Sequence, residues 1–212
     1  MVTQKEYLKD PCGALSVPYW KALRFPLPDG MKILHEKDYL PEKERNYTDE
    51  PYFRLCHSLA WIEKEHLPDR FCLETALLPR DAEDIAHTIN GAYPHIRQTP
   101  EQVLCWAEHP VFDPALWVVI RRRGDGMAVA SGVGELDAEM REGVLEWIQV
   151  LPPYRGMGLG AAVVNRLLRR IKGKADFATV SGQVNNLTNP QGLYRRCGFI
   201  GGDVWHVLTK RP

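Results

Sequence analysis

The segment Val150-Leu151-Pro152-Pro153-Tyr154-Arg155-Gly156-Met157-Gly158-Leu159-Gly160-Ala161 joins an apolar run ending at Val150 to Val163, Val164, Leu167, Leu168 and Ile171, spaced as the buried stripe of a helix. Strand, glycine-rich turn, helix is an arrangement suited to holding a phosphate, because glycines let the backbone approach closely and helix-terminal amides point at the anion. The segment also satisfies Gly-x-Gly-x-x-Ala, with Asp176 twenty residues beyond Gly156, as in dinucleotide sites. Against that reading, Pro152-Pro153 and Arg155 interrupt the turn, and the preceding strands read as hairpins rather than βαβ units. No Gly-Lys-Ser/Thr follows the glycines, so a P-loop fails too. A tight turn without a ligand stays open as the bland alternative.

Upstream, Cys72 to Leu78 reads as a strand, and Asp81 caps a helix through Ile85, Ile89 and Tyr93. Thr99-Pro100-Glu101-Gln102 is a capping box with Pro at the first helical position, and it starts a second helix running to about His109. Three strands follow, Leu116 to Arg122, Ala128 to Asp137 and Gly143 to Val150, as an antiparallel meander. Downstream of the glycine helix, Phe177 to Val184 is a strand, Pro190 to Cys197 a short helix stopped by Gly198, and Val204 to Leu208 a last strand. The expected class is mixed α/β (α+β), a mostly antiparallel central sheet with helices on both faces.

Residues 1–70 differ from the rest. Seven of the sixteen prolines fall here, together with the charge-dense run Glu36 to Glu50. One helix is expected, capped by Asp49, with Pro51 in its first turn and Leu55, Leu59 and Ile62 on one face. The segment is read as an N-terminal extension packed on a domain spanning 71–212.

The run Val150 to Gly160, followed by an amphipathic helix, a strand and then Leu193-Tyr194-Arg195-Arg196-Cys197-Gly198-Phe199, resembles the GNAT superfamily of acetyl-CoA-dependent N-acyltransferases, over about residues 71–212. The resemblance implies that Ile148, Gln149 and Val150 hydrogen-bond the pantetheine arm through their backbone. It implies that Gly156, Met157, Gly158, Leu159, Gly160 and Ala161 wrap the pyrophosphate, with Arg155 as a loop-shaping, phosphate-adjacent charge. Tyr194 matches the tyrosine that protonates the departing thiolate in many members. The family's asparagine seven residues before that tyrosine is Leu187 here, which makes the neighbouring Asn186 the expected cofactor contact. Six basic residues and no acids between Arg155 and Lys174 give a local charge of +6, suited to a phosphorylated cofactor or to a solvated helix face.

Acyl transfer to an amine needs a base, an oxyanion donor and an outlet for the thiolate. Glu146 alternates with Val144, Ile148 and Val150, a carboxylate in an otherwise apolar pattern, and burial there would suit a general base. A wet strand edge is the alternative. Glu135 is the runner-up and Asp137 follows. The resemblance supplies an oxyanion donor in the backbone amide near Ile148. Packing in the core is the alternative to the acid role of Tyr194, which the surrounding motif favours. The hairpin's five acids against Arg141 give a local charge of −4, which would attract a cationic amine or simply be solvated.

Composition sets the outer bounds. With 27 basic and 27 acidic residues the chain has no net field for nucleic acid or an anionic membrane, and its longest apolar run is the six residues from Ala115 to Ile120. Neither a spanning helix nor a secretory signal is expected. Five scattered cysteines without a Cys-x-x-Cys pair suggest thiols in a cytoplasmic protein, and seven histidines without metal spacing predict no metal. The expected function is transfer of acetyl from acetyl-CoA to a small-molecule or peptide primary amine. A non-catalytic CoA-sensing module and a dinucleotide-dependent oxidoreductase are the competing readings. The family admits a homodimer, for which no residue argues.

Overall fold

A computed structural model of the protein describes residues 2–211. In chain order its elements are α1 (Gln4–Lys9), α2 (Pro11–Ala14), α3 (Tyr19–Arg24), β1 (Met31–His35), β2 (Tyr47–His57), β3 (Phe71–Thr75), α4 (Ala82–Ala92) and α5 (Pro100–Trp106). They continue as β4 (Phe112–Arg122), β5 (Ala128–Asp137), β6 (Glu142–Val150), α6 (Leu159–Ile171), β7 (Phe177–Gln183), α7 (Pro190–Arg196) and β8 (Ile200–Lys210). The class is mixed α/β with mostly antiparallel strands, as the sequence predicts. Two compact units form, Met1–His57 with Thr179–Pro212, and Ser58–Ala178.

In the first unit β8 pairs antiparallel with β1 on one side and β2 on the other, and β7 follows β2. The helix expected around Asp49, Pro51 and Leu55 is instead β2. Its register against β8, from Tyr47 opposite Lys210 to Phe53 opposite Val204, replaces helical hydrogen bonds with a ladder, and Tyr47, Thr48, Tyr52 and Phe53 suit a pleated surface. Pro51 still serves as an acceptor, taking Val184 N–H at 2.9 Å. Asp49 caps nothing; its carboxylate holds His206 Nδ1 at 2.9 Å. Arg54, 1% exposed, is the polar pivot of this unit. It donates to Tyr7 Oη at 2.8 Å, the Pro11 carbonyl at 3.2 Å, Ser181 Oγ at 3.2 Å and Thr179 Oγ1 at 3.3 Å, tying α1 and α2 to the strands.

The second unit contains the predicted meander, β4-β5-β6, with β3 added antiparallel at the β4 edge. One face carries α6. Gly132 and Gly143 are required there because a Cβ on either would run into Val163 or Ile171 of that helix. The other face carries α4, joined to β5 by Thr88 Oγ1 and Ser131 Oγ at 2.6 Å. Thr99 and Gln102 form the expected capping box of α5. Asp81 stands at the start of α4 but spends its carboxylate on Leu77 N–H at 2.7 Å and on Arg80 and Arg121 at 2.8 and 2.9 Å.

A strap without regular structure, residues 58–70, runs along α6. Lys172 donates to the Ala60 carbonyl at 3.1 Å, Arg166 and Arg169 hold Glu65, and Arg70 reaches Met157. Arg170 donates to Thr75 at 2.9 Å and Lys174 pairs with Asp113 at 2.5 Å. The basic residues of α6 and its C-terminal end are therefore held by structural contacts, with Glu65 and Asp113 as their acidic partners. They lie eight or more positions beyond Gly158, roughly 12 Å at 1.5 Å per residue, and are committed to the strap and to β3–β4.

Two outcomes are expected. Replacing Arg54 by Ala strands several buried hydroxyls and a carbonyl, and should lower unfolding free energy by about 3 kcal/mol in chemical denaturation. Arg166, first by hydrogen bond and then by charge, with Arg169 and Arg170 adding to it, holds Glu65 below its ordinary value of 4.5. This acid thus stabilises the fold above the ordinary range and loses its contribution as pH falls through the lowered value. Glu65→Gln should cost about 1 kcal/mol at neutral pH and nothing at the acidic end of a pH series of denaturation curves.

Candidate functional site

The β5–β6 register decides what the end of β6 presents. Val133 pairs with Trp147 but Gly134 with Leu145, so Glu146 is the extra residue of a β-bulge. The bulge breaks the alternation expected from sequence. Val144 shares a face with Trp147 and Gln149, toward α4, whereas Ile148 and Val150 face α6 with Gly132. Glu146 sits between the two patterns and is only half-buried, so the enclosed carboxylate expected at this position is not formed.

Beyond the bulge, Leu151 N–H donates to the Val129 carbonyl at 2.9 Å. Counting back along an antiparallel ladder, Gln149 pairs with Ser131 through hydrogen bonds, while the peptide groups of Ile148 and Val150 turn away from β5. Two of those carbonyls have partners. Ile148 accepts a long hydrogen bond of 3.5 Å from Tyr93 Oη, and Val150 accepts from Arg155 Nε at 3.1 Å. Burial raises the Tyr93 phenol above its ordinary value, and the nearby Arg155 charge partly opposes this. The Gln149 side chain closes a buried relay: Thr88 donates to the Ile85 carbonyl, Ser131 to Thr88, and Gln149 Nε2 to Ser131. Its Oε1 is buried with no donor among the described residues.

The glycine segment forms a 3₁₀ turn over Pro152–Tyr154 and then the entry to α6. Gly156 and Gly158 have φ of 77° and 80°, and nothing lies within 4 Å of the point a Cβ would occupy on either, so left-handed backbone rather than crowding calls for glycine. The first intrahelical bond is Ala162 N–H to Gly158 O at 3.0 Å, which leaves the amides of Leu159, Gly160 and Ala161 without helical acceptors. This cradle fits an anionic phosphate group. Arg155 pins it, donating to Val150 O and, at 3.1 Å, to Ala92 O at the end of α4. Loop-shaping is thus the part of its expected role that has a visible geometric basis.

The remaining expected residues belong to the other compact unit. Tyr194, 5% exposed on α7, packs between Phe53 and Phe199 with ring centroids 6.2 and 5.7 Å away. Asn186 Oδ1 accepts from Thr188 N–H and Oγ1 at 2.9 and 2.7 Å, shaping the turn before α7. Three of the five hairpin acids are not solvated: Glu135, Asp137 and Glu142 are buried, at 8%, 7% and 0% exposure, while Glu139 is exposed and Glu146 half-buried. Asp137 Oδ1 accepts the amides of Glu139 and Met140 at 3.0 Å, so this carboxylate builds the hairpin turn rather than a field for a cation. The sequence reading missed Tyr93, the Thr88–Ser131–Gln149 relay and the bulge. A serine within the small apolar run of β5 was the available signal for the relay; the bulge left none. Among the described residues no helix is long and apolar enough to cross a membrane, and no group of three or more metal-ligating side chains gathers.

Gly158→Ala should add about 1–2 kcal/mol of left-handed strain and, by displacing the amides, weaken coenzyme A binding by an order of magnitude or more in calorimetry, with the fold retained by circular dichroism.

A family model described as an acetyltransferase (GNAT) domain matches residues 113–200, which include the bulged strand, the glycine turn and Tyr194. Among curated proteins none matches the sequence. A GCN5-related N-acetyltransferase from Sphaerobacter thermophilus aligns with a TM-score of 0.72 at 19% identity, over 86% of this chain and 60% of that one. One from Kribbella flavida gives 0.60 at 18%, over 86% and 68%. The ribosomal-protein-S18-alanine N-acetyltransferase of Escherichia coli gives 0.52 at 15%, over 66% and 93%. The chain spans about 60% of the length of the Sphaerobacter protein. Residues 113–200 thus match a GNAT acetyltransferase domain, and the chain has the GNAT fold.

Proposed function

We propose that the protein is an N-acetyltransferase moving acetyl from acetyl-CoA to a primary amine, on a small molecule or a peptide, by direct transfer in a ternary complex. The observation that carries this reading is the amide cradle of Gly156 to Ala161, which lies inside the matched acetyltransferase domain and leads from the end of β6 into α6. Its left-handed glycines aim three unbonded helix-terminal amides outward, the chemistry a pyrophosphate needs. Acetyl-CoA supplies the activated thioester.

In the proposed reaction Glu146, re-aimed by its bulge, takes the proton from the acceptor amine directly or through water. The nitrogen then bonds the acetyl carbon, and the Ile148 amide, turned away from β5, donates to the developing oxyanion. The carbon–sulfur bond breaks and Tyr194 protonates the thiolate. Arg155 holds the turn in place. Asn186, on the turn before α7, is the further cofactor contact. Glu135 is the second candidate base, favoured by its 8% exposure against the half-buried Glu146. A reducing, cytoplasmic setting is part of the reading, supported by five cysteines that are all thiols.

Acetyl-CoA with a panel of polyamines, amino acids, aminoglycosides and short peptides tests it by thiol release. Glu146→Gln should reduce kcat about 100-fold, and Tyr194→Phe about 10-fold or more with coenzyme A affinity unchanged in calorimetry. Equal turnover in Tyr194→Phe removes the acid role, and loss in Glu135→Gln alone moves the base. Tight coenzyme A binding with no release across the panel favours a sensing module.

A further inference from the structure

The cations of α6 are taken up by acids, carbonyls and a hydroxyl, but one guanidinium beside the glycine turn is not. Arg70, at the end of the strap and just before β3, is exposed. Its Nη2 donates to Met157 Sδ at 2.9 Å, and Met157 stands between the two left-handed glycines of the turn. A thioether sulfur is a weak acceptor, so this contact satisfies little of the five-donor capacity of a guanidinium. Among the described residues Arg70 has no carboxylate partner. Asp69 adjoins it in the chain without pairing with it, and the Asp69 carbonyl accepts from Arg123 Nε at 2.9 Å.

Aromatic packing sets where this guanidinium lies. Arg70 Cζ rests over the Phe71 ring, 5.1 Å from its centroid, and Phe71 is 1% exposed. Phe71 in turn meets Tyr154 edge-on, with ring centroids 6.1 Å apart at 82°. Tyr154 belongs to the 3₁₀ turn that leads into the glycines, and its hydroxyl accepts from Arg122 Nη1 at 2.9 Å. Arg122 itself is paired with Asp125. Arg70 is thus seated on a platform that is packed against the turn, with its charge unmatched and an N–H directed at Met157. Phosphate oxygens are better partners for such a fork than a sulfur.

We propose that Arg70 binds the 3′-phosphate of coenzyme A, so that the protein prefers the 3′-phosphorylated cofactor to its dephosphorylated form. The inference rests on the acetyltransferase reading, which gives the pyrophosphate to the amides of the glycine segment. Those amides belong to the backbone, whereas Arg70 meets the turn at the far end of the Met157 side chain. The phosphate it takes is a further one on the same ligand, and coenzyme A carries a single phosphate outside its pyrophosphate. On binding, the guanidinium exchanges the Met157 sulfur for phosphate oxygens. Gly156 and Gly158 leave the approach open, since nothing lies within 4 Å of the point a Cβ would occupy on either.

Calorimetry with the full chain, coenzyme A and 3′-dephospho-coenzyme A at one ionic strength tests this without turnover. The wild type should bind coenzyme A about ten-fold more tightly than the dephospho form, as one charge-assisted contact implies. Arg70→Ala, at an exposed position and checked for folding by circular dichroism, should remove that preference. It should weaken coenzyme A about ten-fold and leave the dephospho form unchanged. Equal affinity of the wild type for the two ligands overturns the proposal. So does an equal loss of both in Arg70→Ala, which would put Arg70 on the pyrophosphate. The expected pattern without thiol release from any amine sustains the proposal while the acetyl-transfer reading falls. If the wild type binds neither ligand, the amide cradle and the proposal fall together.

Discussion

α6 lies so close to β5 and β6 that neither strand can carry a side chain at the two points of contact. Gly132 and Gly143 provide that clearance, and Val163, Leu167 and Ile171 fill it. The seating of this helix determines where its first turn falls, and with it the amides of Leu159, Gly160 and Ala161. The turn that precedes them closes the gap from Val150 with a 3₁₀ step over Pro152–Tyr154 and two left-handed glycines. Arg155 then fastens this turn to the Val150 carbonyl and to the end of α4, so a single guanidinium links the strand end, the turn and the opposite helix layer. The placement of these amides follows from helix packing more than from any charge near the loop.

The bulge at Glu146 is the second constraint. One extra residue in β6 exchanges the faces of everything beyond it, putting Trp147 and Gln149 on the side of α4 and Ile148 and Val150 on the side of α6. The same residue count frees Glu146 from both patterns. On the α4 side the exchange sets Trp147 in line with Val133 and Trp117 and under Trp106, so that one irregularity both displaces Glu146 from the strand pattern and completes the aromatic row.

Charge is spent on architecture in both units. Arg166 and Arg169 hold the strap through Glu65, Asp81 binds Arg80 and Arg121, and the buried Arg54 gathers two helices and two strands by hydrogen bonds to hydroxyls and a carbonyl. A cluster of like charges in sequence, such as the six from Arg155 to Lys174, has no meaning for binding until its partners are known: here Glu65 and Asp113 offset part of the charge, and carbonyls and a hydroxyl hold Arg155, Arg170 and Lys172.

Local signals were enough for much of this protein. Apolar periodicity, the Thr99–Gln102 capping box, the Gly124–Gly126 turn and the glycine segment placed β3, α4, α5, the β4–β6 meander, α6 and α7 within a few residues of where they lie. They also singled out the turn with its helix-terminal amides, because glycine at a left-handed φ and an amphipathic helix are properties of a short stretch of chain. What depends on pairing between distant segments was decided only in three dimensions. Residues 47–57 have both strand and helix character, and hydrogen bonds to β8 chose the strand. The direction of Glu146, the grouping of Trp106, Trp117 and Trp147, and the use of the α6 arginines follow from register and contact across the fold, which no local pattern encodes.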